Sequence, residues 1–295
     1  MSRTGRRKFK PLKFGARKAV VEKPSALIDS AIPASEPVAA VLPRRRARGI
    51  YLLPNAFTTA SLFCGFYAIV MAMNVRFEQA AIAVFFSMVL DSLDGRVARL
   101  TNTQSAFGEQ YDSLSDMVSF GVAPALIMYE WTLRGLGKWG WLAAFVYCAG
   151  AALRLARFNA NIGVVDKRYF QGLPSPAAAA LVVGLVWVAT ELAQTKWINY
   201  VPADFAWYAW ILTLYAGVTM VSNVPFYSFK DLNLKRSVPF IFVLGLVLAF
   251  VLISVDPPLV LWSLFVVYGV SGYLVWAWRR LRHTRGPNVS KPPQS

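Results

Sequence analysis

The chain has 295 residues, of which 56% are hydrophobic and only 16% charged, and its mean hydropathy is +0.45. A soluble domain of this length needs more charge on its surface, and apolar runs near ~20 residues recur, so the composition points to a multi-span helical membrane protein instead. Two cysteines, Cys64 and Cys148, both within apolar runs, exclude a disulfide framework or a thiolate metal site, and a single histidine, His283, excludes paired-histidine catalysis.

The net charge of +16 first suggests nucleic acid, but its distribution along the chain argues for a membrane and against that partner. Residues 1–50 read as a basic tail without periodicity, from MSRTGRRKFK to RRRARG. No apolar stretch follows the early arginines, so this is not a cleaved signal peptide. Such a tail is attracted to anionic membrane lipid, and it also sets topology.

Apolar runs then predict helical spans at 55–73, 77–95, 113–133, 139–157, 174–193, 204–222, 238–254 and 258–278. Alternating the connecting segments across the bilayer puts 27 of the 31 Lys and Arg on the side of the N-terminus and 4 on the other. The fold class expected is therefore all-α, a polytopic bundle of about eight spans with both termini cytoplasmic. The 32 Tyr and Phe, with ten Trp, fit aromatic belts at the two interfaces.

In the first span, Pro54 suits an opening helical turn, and Asn55 and Thr58 share one face at its cytoplasmic end. They read either as caps or as polar contacts to a ligand. Between spans two and three lies DSLDGRVARLTNTQSAFGEQYDSLSD, residues 91–116. Asp91 and Asp94 are three apart, and Asp112 and Asp116 four apart, so each pair presents two carboxylates from one helical face, about 60° and 40° around. One span runs inward and the next outward, which brings both pairs to the same cytoplasmic rim. Four such carboxylates cannot stay close as bare anions, and all-oxygen ligands favour hard divalent ions: Mg²⁺, Mn²⁺ or Ca²⁺. Gly95, Ala98 and Gly108 keep the surface shallow, and Arg99 suits phosphate. The alternatives are helix caps with rim salt bridges, or an ion-coupled transporter, whose charges are expected nearer mid-membrane in repeated halves.

Further along, Arg154 and Arg157 share a face at the inner end of span four, where they either anchor the span or meet an acceptor carboxylate. In GLPSPAAAA, Ser175 either caps span five or lines an acceptor pocket, and the alanines permit close helix contact. The 158–173 loop, FNANIGVVDKRYFQGL, and the KDLNLKR loop are polar. The last two spans read as plainly apolar, without site chemistry.

The pattern Asp91-x-x-Asp94-Gly95-x-x-Ala98-Arg99, then Gly108, Asp112 and Asp116, resembles the motif of the CDP-alcohol phosphatidyltransferase family at every fixed position. LPNAFTTASLFCGF, ALRLARFN and GLPSPAAAA resemble its membrane-integral, bacterial- and archaeal-type branch that uses serine. The resemblance implies an enzyme that moves the phosphatidyl group of CDP-diacylglycerol onto the serine hydroxyl, releasing CMP. Glycerol 3-phosphate, inositol phosphate and choline remain open as acceptors. It further implies two divalent ions on Asp91, Asp94, Asp112 and Asp116, with Asp116 as the base. The cytidine diphosphate would lie against Asn55, Thr58, Gly95, Ala98, Arg99 and Gly108, and serine against Arg154, Arg157 and Ser175. A homodimer in a bacterial inner membrane, with its site facing the cytoplasm, completes the expectation. The domains expected are a tail at 1–50, a six-helix core at 51–222, two further helices at 223–278 and a basic tail at 279–295.

Overall fold

The computed structural model describes residues 52–160, 169–194, 202–227 and 240–283. The N-terminal tail, residues 161–168 of the polar loop, the KDLNLKR loop and residues 284–295 fall outside the described residues.

Helices stand at each of the eight apolar runs. α1 (Leu52–Met73) carries Pro54 in its first turn, where its missing N–H leaves no bond unmade. α2 (Phe77–Leu100) holds Asp91 and Asp94 within a continuous helix, as expected, and runs five residues beyond the expected end. The third run is not one regular helix. α3 (Ala106–Asp116), with Ser105 at its N-cap, passes into a π-helical segment (Met117–Val122) and then into α4 (Ala123–Trp131). The cause is Pro124, which has no N–H to continue an α-ladder and whose ring crowds the carbonyl four residues back. A 3₁₀ turn (Leu133–Leu136) leads to α5 (Lys138–Ala160). Then follow α6 (Ser175–Gln194), a 3₁₀ turn (Pro202–Phe205), α7 (Ala206–Val221), α8 (Phe240–Val255) and α9 (Pro257–His283).

Among the described residues, four helical stretches are long and apolar enough to cross a membrane: Leu53–Met73, Lys138–Ala160, Ser175–Gln194 and Pro257–Leu281. The expected eight crossings are thus supported at four positions by length and composition. α2 falls short through its charges, the third run through its break, and α7 and α8 through their sixteen residues, about 24 Å at 1.5 Å per residue.

α6 is the axis of the bundle. Its stretch from Ala177 to Gly184 is buried without interruption, and it packs against α2, α4, α7 and α9. Small residues let the backbones close up, since lipid supplies no hydrophobic drive between helices. Gly150 of α5 and Gly217 of α7 show this: a Cβ on either would run into the backbone of the other helix. Two tyrosines link α7 to α9, which run in the same direction. Tyr215 Oη donates to Gly269 O at 2.9 Å, and the Thr219 and Tyr273 hydroxyls pair at 2.8 Å, both at the same sequence offset.

One element escapes the all-α expectation. β1 (Tyr169–Gln171) pairs antiparallel with β2 (Pro225–Tyr227), Phe170 opposite Phe226. Phe226 is fully buried against Gly272 of α9, so the small sheet is held by packing. The chain leaves β1 through Gly172 at φ +80°, a conformation that glycine adopts without a Cβ penalty. Its N–H donates to Val224 O at 2.9 Å. The start of α6 is thereby tied to the end of α7.

Candidate active site

The site is built where α1, α2 and α3 meet. α1 is the common partner. Thr58, 4% exposed, donates to Asp94 Oδ2 at 2.9 Å, and Asp94 itself is only 5% exposed. Lower down, the Ser61 and Ser87 hydroxyls pair at 2.8 Å and join α1 to α2. From the third rod, Ser115 Oγ donates to Thr58 O and Ser119 Oγ to Ser61 O, each at 3.2 Å. Ser119 packs directly on Gly65, where a Cβ would collide with it. These hydroxyls hold α2 and α3 at set heights along α1. Sequence reasoning missed Ser61, Ser87, Ser115 and Ser119. Their signal was present as small polar residues three or four apart within apolar runs, continuing the Thr58 face.

Held this way, the acidic side chains converge. One carboxylate oxygen from each of Asp91, Asp112 and Asp116 lies within 4.8 Å of the others. Asp91 and Asp116 are in hydrogen-bonding reach of each other. Two carboxyl groups that close require a proton or a cation between them. Buried Oδ1 atoms of Asp112 and Asp116 have no hydrogen-bond partner, whereas buried oxygens are normally paired. The donor set is all oxygen, as a hard divalent cation requires. On both counts the residues fit a metal ion. Asp94 stands outside this group of three, turned toward Thr58 and within electrostatic reach of Asp112.

Beside the carboxylates lies a cavity of about 130 Å³. Every residue expected to meet the nucleotide lines it: Asn55, Thr58, Gly95, Ala98, Arg99 and Gly108, joined by Asp94 and Asp112. A Cβ on Gly95 would have nothing within 4 Å and would project into open space, so this glycine leaves room for a ligand. Gly108 is closely faced by Ser105 Oγ and Asn55 Oδ1, and its N–H donates to Ser105 Oγ at 3.0 Å. Thr103, Gln104, Ser105 and Glu109 complete the wall. Residues 103–105 thus belong to the site, although only the flanking glycine and aspartates stood out in the sequence.

The two arginines of α5 part company. Arg154 NH1 donates to Ser175 Oγ at 2.8 Å, while its buried Nε has no hydrogen-bond partner. Its guanidinium lies within electrostatic reach of Asp116. Ser175 therefore receives Arg154 at the start of α6. Arg157, three residues on, donates instead to Asn223 at 3.1 Å in the turn before β2. Asn159, which sequence reasoning passed over, donates to Ser113 of α3 at 3.0 Å. The last turns of α5 thus reach α6, the α7–β2 turn and α3.

The CDP-alcohol phosphatidyltransferase family model matches residues 51–221, which span α1 to α7 and hold all four aspartates. The chain belongs to this family. Among curated relatives, a protein of Helicobacter pylori is 38% identical over 227 residues, covering 76% of this chain and 92% of that protein. A protein of Methanocaldococcus jannaschii is 36% identical over 65% of this chain and 82% of its own length. A third, from Mycobacterium leprae, is 30% identical over 76% of this chain and 74% of its own length. Each is named CDP-diacylglycerol–serine O-phosphatidyltransferase. Membership in the CDP-alcohol phosphatidyltransferase family removes the transporter alternative. The matched stretch ends with the last residue of α7, so β2, α8 and α9 lie beyond the part that defines the family.

Proposed function

We propose that this CDP-alcohol phosphatidyltransferase moves the phosphatidyl group of CDP-diacylglycerol onto L-serine, giving phosphatidylserine and CMP. The observation that carries the reading is the meeting of Asp91, Asp112 and Asp116 beside a cavity lined by Asn55, Thr58, Gly95, Ala98, Arg99 and Gly108. The names of relatives covering most of the chain support the acceptor.

Asp91, Asp94, Asp112 and Asp116 would hold two divalent ions, Mg²⁺ or Mn²⁺, with Ca²⁺ as the third candidate. Bound there, such ions offset charge on the diphosphate and on the departing CMP. The protein's own groups do the rest. Asn55, Thr58, Gly95, Ala98 and Gly108 cradle the cytidine diphosphate, and Arg99 at the rim binds phosphate oxygen. Asp116 takes the proton of the serine hydroxyl as its oxygen bonds to the phosphorus that carries diacylglycerol. The bond from that phosphorus to the CMP oxygen breaks, and CMP leaves with the electron pair. Arg154 meets the serine carboxylate, with Ser175 fixing the guanidinium and Arg157 bracing the rim. An Arg suits this role because its fork of donors matches a carboxylate.

The carboxylates lie at one end of the bundle, and the charge bias assigns that end to the cytoplasm, in a bacterial inner membrane. On this reading all eight apolar runs cross and both termini are cytoplasmic. Residues 51–222 form the catalytic core and 223–278 two added helices, flanked by basic tails at 1–50 and 279–295. The active unit is a homodimer. The deciding experiment incubates purified protein in detergent micelles with CDP-diacylglycerol and Mn²⁺, adding serine, glycerol 3-phosphate, inositol phosphate or choline separately. CMP release with serine alone is expected. Release with another acceptor but not serine would overturn the acceptor, and no release with any would overturn the transferase reading.

A further inference from the structure

The π-helical segment begins where the carboxylates end, with Asp116 as its first flanking residue. Its register is visible in the bond from Ala123 N–H to Val118 O, five residues back. Phe120 lies four residues before Pro124, so in an α-ladder its carbonyl would face the one residue that has no N–H to give. That carbonyl is buried, and Tyr147 of α5 supplies a donor: its hydroxyl reaches Phe120 O at 2.9 Å. Tyr147 is fully buried. A buried phenol needs an acceptor for its O–H, and the one Tyr147 finds is the carbonyl that faces Pro124.

A π-turn displaces the two halves of a rod by about one residue, roughly 100° of rotation. Upstream, Asp112 and Asp116 face α2 and Ser115 is bonded to α1, and within the turn Ser119 is bonded to α1 as well. Downstream, Ala123, Ile127 and Trp131 face the core. In an unbroken α-helix these sets would take a different rotational relation, and the carboxylates would turn away from Asp91.

We propose that Tyr147 is a positioning residue, which locks the π-turn through the Phe120 carbonyl and so holds Asp112 and Asp116 against Asp91. Pro124 imposes the turn and Tyr147 fixes it from the neighbouring helix. The inference rests on the reading that these aspartates hold a divalent cation. It adds to that reading a residue that touches neither substrate nor metal.

The test is Mn²⁺ binding to the purified protein without substrates, followed by the loss of the free-ion electron paramagnetic resonance signal. Tyr147→Phe is expected to weaken binding about tenfold or more, the size found when the partners that orient ligands are removed. Pro124→Ala relaxes the same turn and is expected to act in the same direction. The double variant should be no worse than the poorer single one, because both act through one element. Trp262→Phe is the control for structural loss: it removes the bond from Trp262 Nε1 to Leu181 O at 3.1 Å. It should lower the melting temperature and leave Mn²⁺ binding unchanged. Binding by Tyr147→Phe within twofold of the parent, or effects of the two single variants that multiply, would overturn the proposal. Should Tyr147→Phe not fold, unchanged binding by Pro124→Ala overturns it alone. Asp112→Asn separates the two levels: if it leaves Mn²⁺ binding intact, the metal site itself is misread, and if it abolishes binding while Tyr147→Phe does not, only the positioning role fails.

Discussion

Replacing Thr58 by valine removes one oxygen and keeps the shape of the side chain. That oxygen donates to Asp94 Oδ2 at 2.9 Å, and with both residues about 95% buried, water has little access to replace it. A hydrogen bond to a charged group contributes about 1.5–3 kcal/mol, with the cost falling on the group left unpaired. If Asp94 must stay ionised and oriented toward the cavity during transfer, that loss appears in the reaction barrier. At 1.36 kcal/mol per factor of ten, kcat/KM falls about 10- to 150-fold. The Thr58 hydroxyl also reaches Pro54 O at 3.2 Å, but that bond lies within one helical turn and contributes less. The assay is CMP release at saturating Mn²⁺ with CDP-diacylglycerol varied. Thr58→Ser, which keeps the hydroxyl, should stay close to the parent. A valine variant within twofold of the serine variant would refute the argument that Asp94 is oriented from α1.

Asp116→Asn should still bind the CDP-lipid in an equilibrium assay yet lose turnover by about 10²–10⁴, the usual worth of a general base; turnover within tenfold would remove that role. Gly95→Val would push a branched side chain into the open space of the cavity. It is expected to raise the KM for CDP-diacylglycerol severalfold while melting temperature holds, because nothing in the protein is struck. Arg154→Lys keeps the charge and loses the fork, so the KM for serine should rise about tenfold or more with little change in that for CDP-diacylglycerol. Equal changes in both would argue against an acceptor role.

Much of the carboxylate cluster was legible because spacing alone determines it. Residues 108, 112 and 116 recur every four positions, so any helix through them shows one face, and α3 does so whatever surrounds it. The continuity of α2 through Asp91 and Asp94 followed equally from the apolar period. The π-turn was not legible, although Pro124 stood in plain view within a run read as one span. A proline in a helix can kink, end or widen it, and the choice here involves Tyr147, which lies 27 residues beyond Phe120 in the chain and on another helix. The β1–β2 pair was missed because three-residue strands leave no period to detect, and their register depends on Phe226 finding α9. The parting of Arg154 and Arg157 was hidden for the same reason. Three residues apart, they share a face, but their partners Ser175 and Asn223 come from segments that only the bundle brings near.

The cavity beside the carboxylates is framed by α1, α2 and α3, whereas Arg154 and Ser175 belong to α5 and α6. These halves meet where Arg154 comes near Asp116 and where Asn159 donates to Ser113. Under the proposed reading, recognition of the activated lipid and recognition of the alcohol are mounted on separate helices. A lineage, or an engineer, can therefore rewrite the ends of α5 and α6 to accept a different alcohol while leaving the lipid-handling half untouched.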